Sequence, residues 1–274
     1  MRRLLLIILA LSFAPVACAQ KPAAGTPAAR PAAAGTVAAR PAAFEHWAAV
    51  VVGADSLSSD NQPTPIFDNA RRDVAAALIR AGFARGNMAQ LSVNPNAEPG
   101  VAVTEPKAFT RLAQQVTRNA PGCLFYFTSH GNQQGIRFGQ GAMLDPSTLG
   151  GLVSQWCGQR PTIVVISACY SGVFVPALAA SNRMVMTAAR SDRSSFGCGG
   201  HNLYPYFDDC VISSMPQSTG FIGLADAVRA CVARREQETK SSPASDPQVS
   251  IGDQIRPILG AMRFRANTHP PPRT

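Results

Sequence analysis

Two stretches decide the fold: Cys123–Gly131 (CLFYFTSHG) and Thr162–Gly172 (TIVVISACYSG). Each begins with a six-residue run of aromatic or β-branched character, the length and composition of a buried strand rather than a helix. The first run leads straight into Ser129-His130-Gly131, and the second into Ala168-Cys169. A parallel sheet collects its functional groups at the carboxyl ends of its strands. If these two strands are neighbours, His130 and Cys169 open on the same edge, although 39 residues (169 − 130) separate them.

The flanking segments alternate between strand and helix. His46–Gly53 (HWAAVVVG) is a short apolar run ending in glycine, and the polar, proline-marked stretch from Asp55 to Pro65 is a loop at its carboxyl end. Phe67–Gly82 places Val74, Ala77, Leu78 and Ala81 at helical spacing, with Gly82 as a stop. Ala89–Val93 is a weak strand, and Glu105–Asn119 a helix with Phe109, Leu112, Ala113 and Val116 on one face. Asp145–Trp156 is helical despite Gly150-Gly151. Arg183–Ala188 is another strand, and Ile222–Arg234 another helix. Such alternation predicts one α/β domain over residues 44–265, with a mostly parallel central sheet flanked by helices.

A cysteine becomes a useful nucleophile when a neighbouring base or cation favours the thiolate. An imidazole does this and can return the proton to a leaving amine. Gly131 lets a substrate carbonyl come close to the backbone. The N–H groups of Gly131 and Cys169 are therefore the oxyanion-hole candidates. Taken singly, a cysteine after an apolar strand is most often a small buried hydrophobe. The pairing of His130 and Cys169 at equivalent strand ends, each followed by small residues, is what points to catalysis.

The stretches Phe125–Gly131 and Ile163–Cys169 resemble the paired blocks of the legumain family of cysteine peptidases, within the caspase-like clan. Thr187-Ala188-Ala189 through Arg193–Cys198 resembles that family's substrate-binding segment, and Trp47–Asp73 its opening block. The resemblance spans about residues 44–235 and identifies a bacterial exported member. It implies a caspase-like three-layer α/β sandwich, a His130/Cys169 dyad without an obligatory third member, no cofactor, and a peptide or protein substrate. Plant and animal legumains read asparagine with an arginine before the first helix and an acid after the nucleophile. Here Asn69 and Tyr170 take those places, so asparagine specificity does not transfer. Arg190, Asp192, Ser194 and Ser195 are the candidate pocket residues. Asp208 and Asp209 are a second acidic option, read as solvated loop positions. His46 reads as a surface residue, and His201 as a residue of the Gly-rich loop bordering the cleft.

Two rival classes stay open at this level. One is a catalytically silent caspase-fold binding protein. The other is a cysteine hydrolase or ligase acting on another acyl bond.

The N-terminus sets the compartment. Met1-Arg2-Arg3, the apolar run Leu4–Phe13, Pro15 and Ala17-Cys18-Ala19 read as a signal peptide over residues 1–19, too short to span a bilayer. The expected location is periplasmic or secreted. Lipidation at Cys18, anchoring the protein to a membrane, is the alternative. Residues 20–43 are almost wholly Ala, Pro, Gly, Thr and Arg and read as a flexible tether; residues 266–274 read as a Pro-rich tail containing His269.

The net charge of +9 is dispersed, without the Lys/Arg block and interleaved aromatics of a nucleic-acid binder. Seven cysteines fit an oxidising compartment. Setting Cys18 and Cys169 aside leaves five, so at least one stays free, and Cys198–Cys210 is the pair the sequence favours. No CxxC spacing argues for a metal. The tether and the polar stretch from Glu236 to Gln248 read as exposed and open to maturation cleavage.

Overall fold

The computed structural model describes residues 44–265 except Pro95; the expected signal peptide, tether and Pro-rich tail lie outside the described residues. In chain order the elements are β1 (Ala48–Gly53), α1 (Ile66–Ala81), β2 (Met88–Ser92), β3 (Ala102–Val103), α2 (Pro106–Thr117) and β4 (Cys123–Thr128). A small hairpin sheet follows, made of β5 (Gly131–Asn132), β6 (Gly135–Phe138) and β7 (Ala142–Leu144). Then come α3 (Pro146–Cys157), β8 (Thr162–Ser167), α4 (Val175–Leu178) and β9 (Arg183–Thr187). The last elements are α5 (Tyr206–Ser214), α6 (Phe221–Thr239), β10 (Gln248–Ile251) and α7 (Ile255–Ala261).

The main sheet runs β10-β9-β8-β4-β1-β2-β3, parallel throughout except for the antiparallel edge strand β10. Successive side chains of a strand point to opposite faces, and the core divides accordingly. Ala49, Val51, Leu124, Tyr126, Ile163 and Val165 pack under α1, α5 and α6. Val50, Val52, Phe125, Phe127, Val164 and Ile166 pack under α2, α3 and α4. Both faces being covered explains why these strands read as unbroken apolar runs rather than alternating ones. The result is the three-layer caspase-like sandwich expected from the sequence.

Chain order places the site. After β1 the chain moves outward through β2 and β3, then crosses back to lay β4 on the other side of β1. The crevice at such a reversal is where open α/β sheets bind ligands. Here the β1 loop meets His130, and Gly131 meets Cys169 at the end of the next strand, β8.

Three expectations need correction, and one element lies beyond them. The disulfides are Cys123–Cys157 and Cys210–Cys231, while Cys198, expected to pair with Cys210, is a free buried thiol. Cys210 sits on the buried face of α5 and meets α6 there, so it points away from the loop that carries Cys198. Asp208 and Asp209 lie in the first turn of α5 rather than in a solvated loop. The polar stretch after Glu236 is not simply exposed. The helix α6 continues to Thr239, Glu236 is buried and accepts the Ser245 N–H at 3.1 Å, and Gln248–Ile251 pairs with β9. Finally, the sheet β5–β7 was not anticipated, although glycines at 131, 135, 139 and 141 around Ile136 and Phe138 carry a hairpin signal.

Candidate active site

The register of two strands builds the site. β4 and β8 are hydrogen-bonded neighbours, and Thr128 pairs with Ser167 at their carboxyl ends. His130 and Cys169 each lie two residues past that pair, on the same edge of the sheet. Their backbones touch through Gly131: a Cβ added there would stand 2.4 Å from Cys169 O and 3.1 Å from the Ala168 Cβ. Only glycine lets the two strand ends approach this closely.

The imidazole is fixed from two sides. Its Nε2 lies 3.1 Å from Leu57 O, in the loop after β1, and its ring meets Phe67 of α1 edge-on at 5.0 Å between centroids. A carbonyl only accepts, so Nε2 carries the proton and donates it. That leaves Nδ1 as the nitrogen available for proton transfer. The β1 loop is itself pinned, because Asp55 accepts the N–H groups of Ser56 and Leu57 at 2.7 and 3.1 Å and pairs with Arg137 at 3.4 Å.

Cys169 sits in a sharp turn. Tyr170 adopts a left-handed backbone (φ 57°), and its N–H donates to Arg193 O at 2.8 Å. The next residues tie the turn to the segment after β9. Ser171 Oγ accepts from Ala189 N at 3.1 Å, and a Cβ at Gly172 would meet Ser191 N at 2.4 Å. The thiol is half-buried and engages Ser195: the Ser195 N–H donates to Sγ at 3.3 Å, and Sγ reaches Ser195 O at 3.4 Å. No hydrogen bond joins the imidazole to the thiol among the described residues.

The N–H groups of the two expected donors differ in what surrounds them. The Cys169 N–H has no acceptor among the described residues. Arg137 N donates to His130 O, and antiparallel pairs alternate between bonded and non-bonded, so Gly131 occupies a non-bonded pair with Ile136. Its N–H therefore turns away from β6.

The four pocket candidates separate. Ser195 is brought onto the Cys169 thiol itself. Asp192 is already neutralised by Arg190 at 2.6 Å and Arg193 at 2.8 Å, and the Arg190 hydrogen bond chiefly holds its carboxyl down at about 2. Arg190 also pairs with Asp246 at 3.4 Å, and its N–H donates to Ser245 O. Ser194 is half-buried. A cavity of about 600 Å³ opens beside this segment, against Arg229 and Glu236 of α6 and Pro243. Asn69, in the place of the family's arginine, reaches Leu203 O at 3.4 Å. His46 is exposed, as expected, and His201 lies in the loop before α5. Among the described residues no cluster of His, Cys, Asp or Glu could hold a metal ion.

The residue that sequence reasoning misplaced is Asp208. It is wholly buried and accepts the hydroxyls of Tyr126 at 2.6 Å, Thr128 at 2.8 Å and Ser167 at 2.8 Å. Burial, outweighing these three bonds, raises its carboxyl to about 6. The signal available in the sequence was the row of hydroxyls at Tyr126, Thr128 and Ser167 on one face of two apolar strands, which need a buried partner.

Residues 115–220 match the Peptidase C13 family, the legumain family of cysteine peptidases. The matched segment contains both His130 and Cys169. No curated protein matches the chain in sequence. Among solved structures, the crystal structure of caspase-1 from Spodoptera frugiperda is similar in fold, with a TM-score of 0.55 at 11% identity. That match covers 83% of this chain and 93% of the caspase chain.

Proposed function

We propose that this protein is an exported cysteine endopeptidase in which Cys169 attacks the peptide carbonyl and His130 moves the proton. The observation that carries the reading is register: the imidazole and the thiol stand two residues past the paired Thr128 and Ser167, with Gly131 against the Cys169 carbonyl. Cys169 Sγ forms the thioester, and the N–H groups of Gly131 and Cys169 receive the developing oxyanion. One such donor is typically worth about 10²–10³ in rate. His130, with Nε2 held on Leu57 O, takes the thiol proton at Nδ1, passes it to the leaving amine, and then activates the water that hydrolyses the thioester.

The substrate is a peptide or protein lying against the segment 190–195. The test is mass spectrometry of the mature protein after exposure to a peptidyl electrophile library, beside Cys169→Ala and His130→Ala. A single adduct at Cys169, lost in Cys169→Ala and formed more slowly in His130→Ala, supports the reading. Labelling spread over other cysteines and unchanged in His130→Ala would overturn it in favour of a silent scaffold.

A further inference from the structure

We propose that Asp208 is a positioning residue which, as the carboxylate, clamps the two strand ends that carry His130 and Cys169. The inference rests on the dyad reading above. One oxygen does the clamping: Asp208 Oδ2 accepts from Thr128 Oγ1 on β4 and from Ser167 Oγ on β8, both at 2.8 Å. These two residues are register partners, and each is two positions before a dyad member. The other oxygen, Oδ1, takes the Tyr126 hydroxyl at 2.6 Å. A single carboxyl group on α5 thus spans the seam between the strands directly beneath the site.

The arrangement is chemically specific for the anion. All three partners are hydroxyls, none has another acceptor among the described residues, and a carboxylate can only accept. With the anion present, every proton in the cluster has a place. Protonating Asp208 turns one acceptor site into a donor, so one of the three hydroxyls must accept there instead of donating, and its own proton is left without an acceptor. The bonds left are neutral ones, about half as strong as charge-assisted bonds. Among the described residues no cation pairs with Asp208. Arg235 of α6 pairs with the neighbouring Asp209 instead. The titratable groups facing Asp208 are the Tyr126 phenol and, within electrostatic range, the Cys198 thiol. Burial raises both far enough to keep them neutral, with the Asp208 charge adding to each. The Asp208 carboxyl itself sits at about 6, so the clamp forms as the solution passes from mildly acidic to neutral.

Asp208→Asn is close in shape to the protonated acid and separates positioning from scaffolding. The readout is the rate of Cys169 carbamidomethylation by iodoacetamide, followed by peptide mass spectrometry from pH 5 to pH 8, in wild type, Asp208→Asn and His130→Ala. This needs no knowledge of the natural substrate. The ratio of wild-type to Asp208→Asn rates is expected to be near one at pH 5 and to rise through pH 6 to about fivefold or more at pH 8. A role in folding alone weighs most at low pH, where the protonated acid stabilises the wild type, so a ratio that stays level, falls as pH rises, or equals one throughout overturns the inference, while slowed labelling of His130→Ala leaves the dyad standing. Unchanged labelling of His130→Ala overturns the dyad reading and the inference with it. Should Asp208→Asn fail to fold, Ser167→Ala removes only the bond on the Cys169 side. Its ratio is expected to exceed about twofold at pH 8 and to return to one at pH 5; a ratio of one at both would overturn the clamp.

Discussion

Tyr170 and Gly131 show how single residues shape the site. A non-glycine residue in the left-handed region costs about 1–3 kcal/mol and persists only where its surroundings impose it. At Tyr170 the imposition comes from the N–H bond to Arg193 O and the packed Gly172. Tyr170→Gly is therefore expected to leave thermal stability unchanged or slightly raised, whereas Tyr170→Val, β-branched, lowers it by about 1–2 kcal/mol; denaturant titration of both variants checks this. Gly131→Ala is a sharper probe. Its Cβ would run into the Cys169 carbonyl at 2.4 Å, forcing the two strand ends apart. Labelling of Cys169 by a peptidyl electrophile is expected to fall about 100-fold or more, with far-UV circular dichroism preserved. The sequence singles out Gly131 as a point of substrate approach; its contact with the Cys169 backbone belongs to the packed structure.

Among the elements, helix positions followed from apolar spacing, while the links between elements did not. α1 was read from Val74, Ala77, Leu78 and Ala81, all of which face the core. The same helix buries Arg71 completely, bonded to Asp68 and Glu98 at 2.8 Å and to Gln90 at 2.7 Å. Periodicity cannot announce a buried cation, because beside Asp68 on the same helix its partners Gln90 and Glu98 come from β2 and the loop beyond. Arg71→Met breaks a buried network and leaves Asp68 uncompensated, so a loss of about 3–5 kcal/mol in chemical denaturation is expected. The disulfides tell the same story. Cys123–Cys157 closes 34 residues between β4 and α3, and Cys210–Cys231 closes 21 between α5 and α6. Replacing both members of either pair by alanine is expected to cost about 2–4 kcal/mol by loop entropy, with Cys169 still reactive. Under native conditions Cys198, buried and with its thiol pushed up by burial, is expected to resist alkylation while Cys169 reacts.

At the scale of the whole molecule, the buried carboxyl of Asp208 makes stability depend on pH. Its pKa rises on folding from 3.8 to about 6, so the native state holds the proton more tightly than the unfolded chain. The contribution of this group is fully present below pH 3.8 and is lost as pH rises through 6. The change is about 3 kcal/mol, from roughly two pK units at 1.36 kcal/mol each. Asp208→Asn does not titrate. The stability of the variant relative to wild type is therefore expected to increase between pH 4 and pH 7 and to level off above, as measured by denaturant midpoints across that range. A relative stability that stays level or falls over the same interval would contradict the burial of this acid. Greater stability together with slower thiol chemistry at neutral pH would mark a site that holds a charge at a cost to the fold.

What the sequence by itself determined is local in origin. Short apolar runs such as CLFYFT and TIVVIS specify buried strands, helical spacing specifies α1, α2 and α6, and strand ends in a parallel sheet specify where His130 and Cys169 emerge. Those rules act within a few residues of chain, so spacing encodes them. Only the tertiary structure decided that Cys123 meets Cys157, that Ser195 N–H points at the thiol 26 residues away, and that Asp208 reaches Thr128 and Ser167 across 80 and 41 residues. Such contacts depend on which elements cross and at what depth. No short pattern carries that information, because it is set by packing the two faces of one sheet at once.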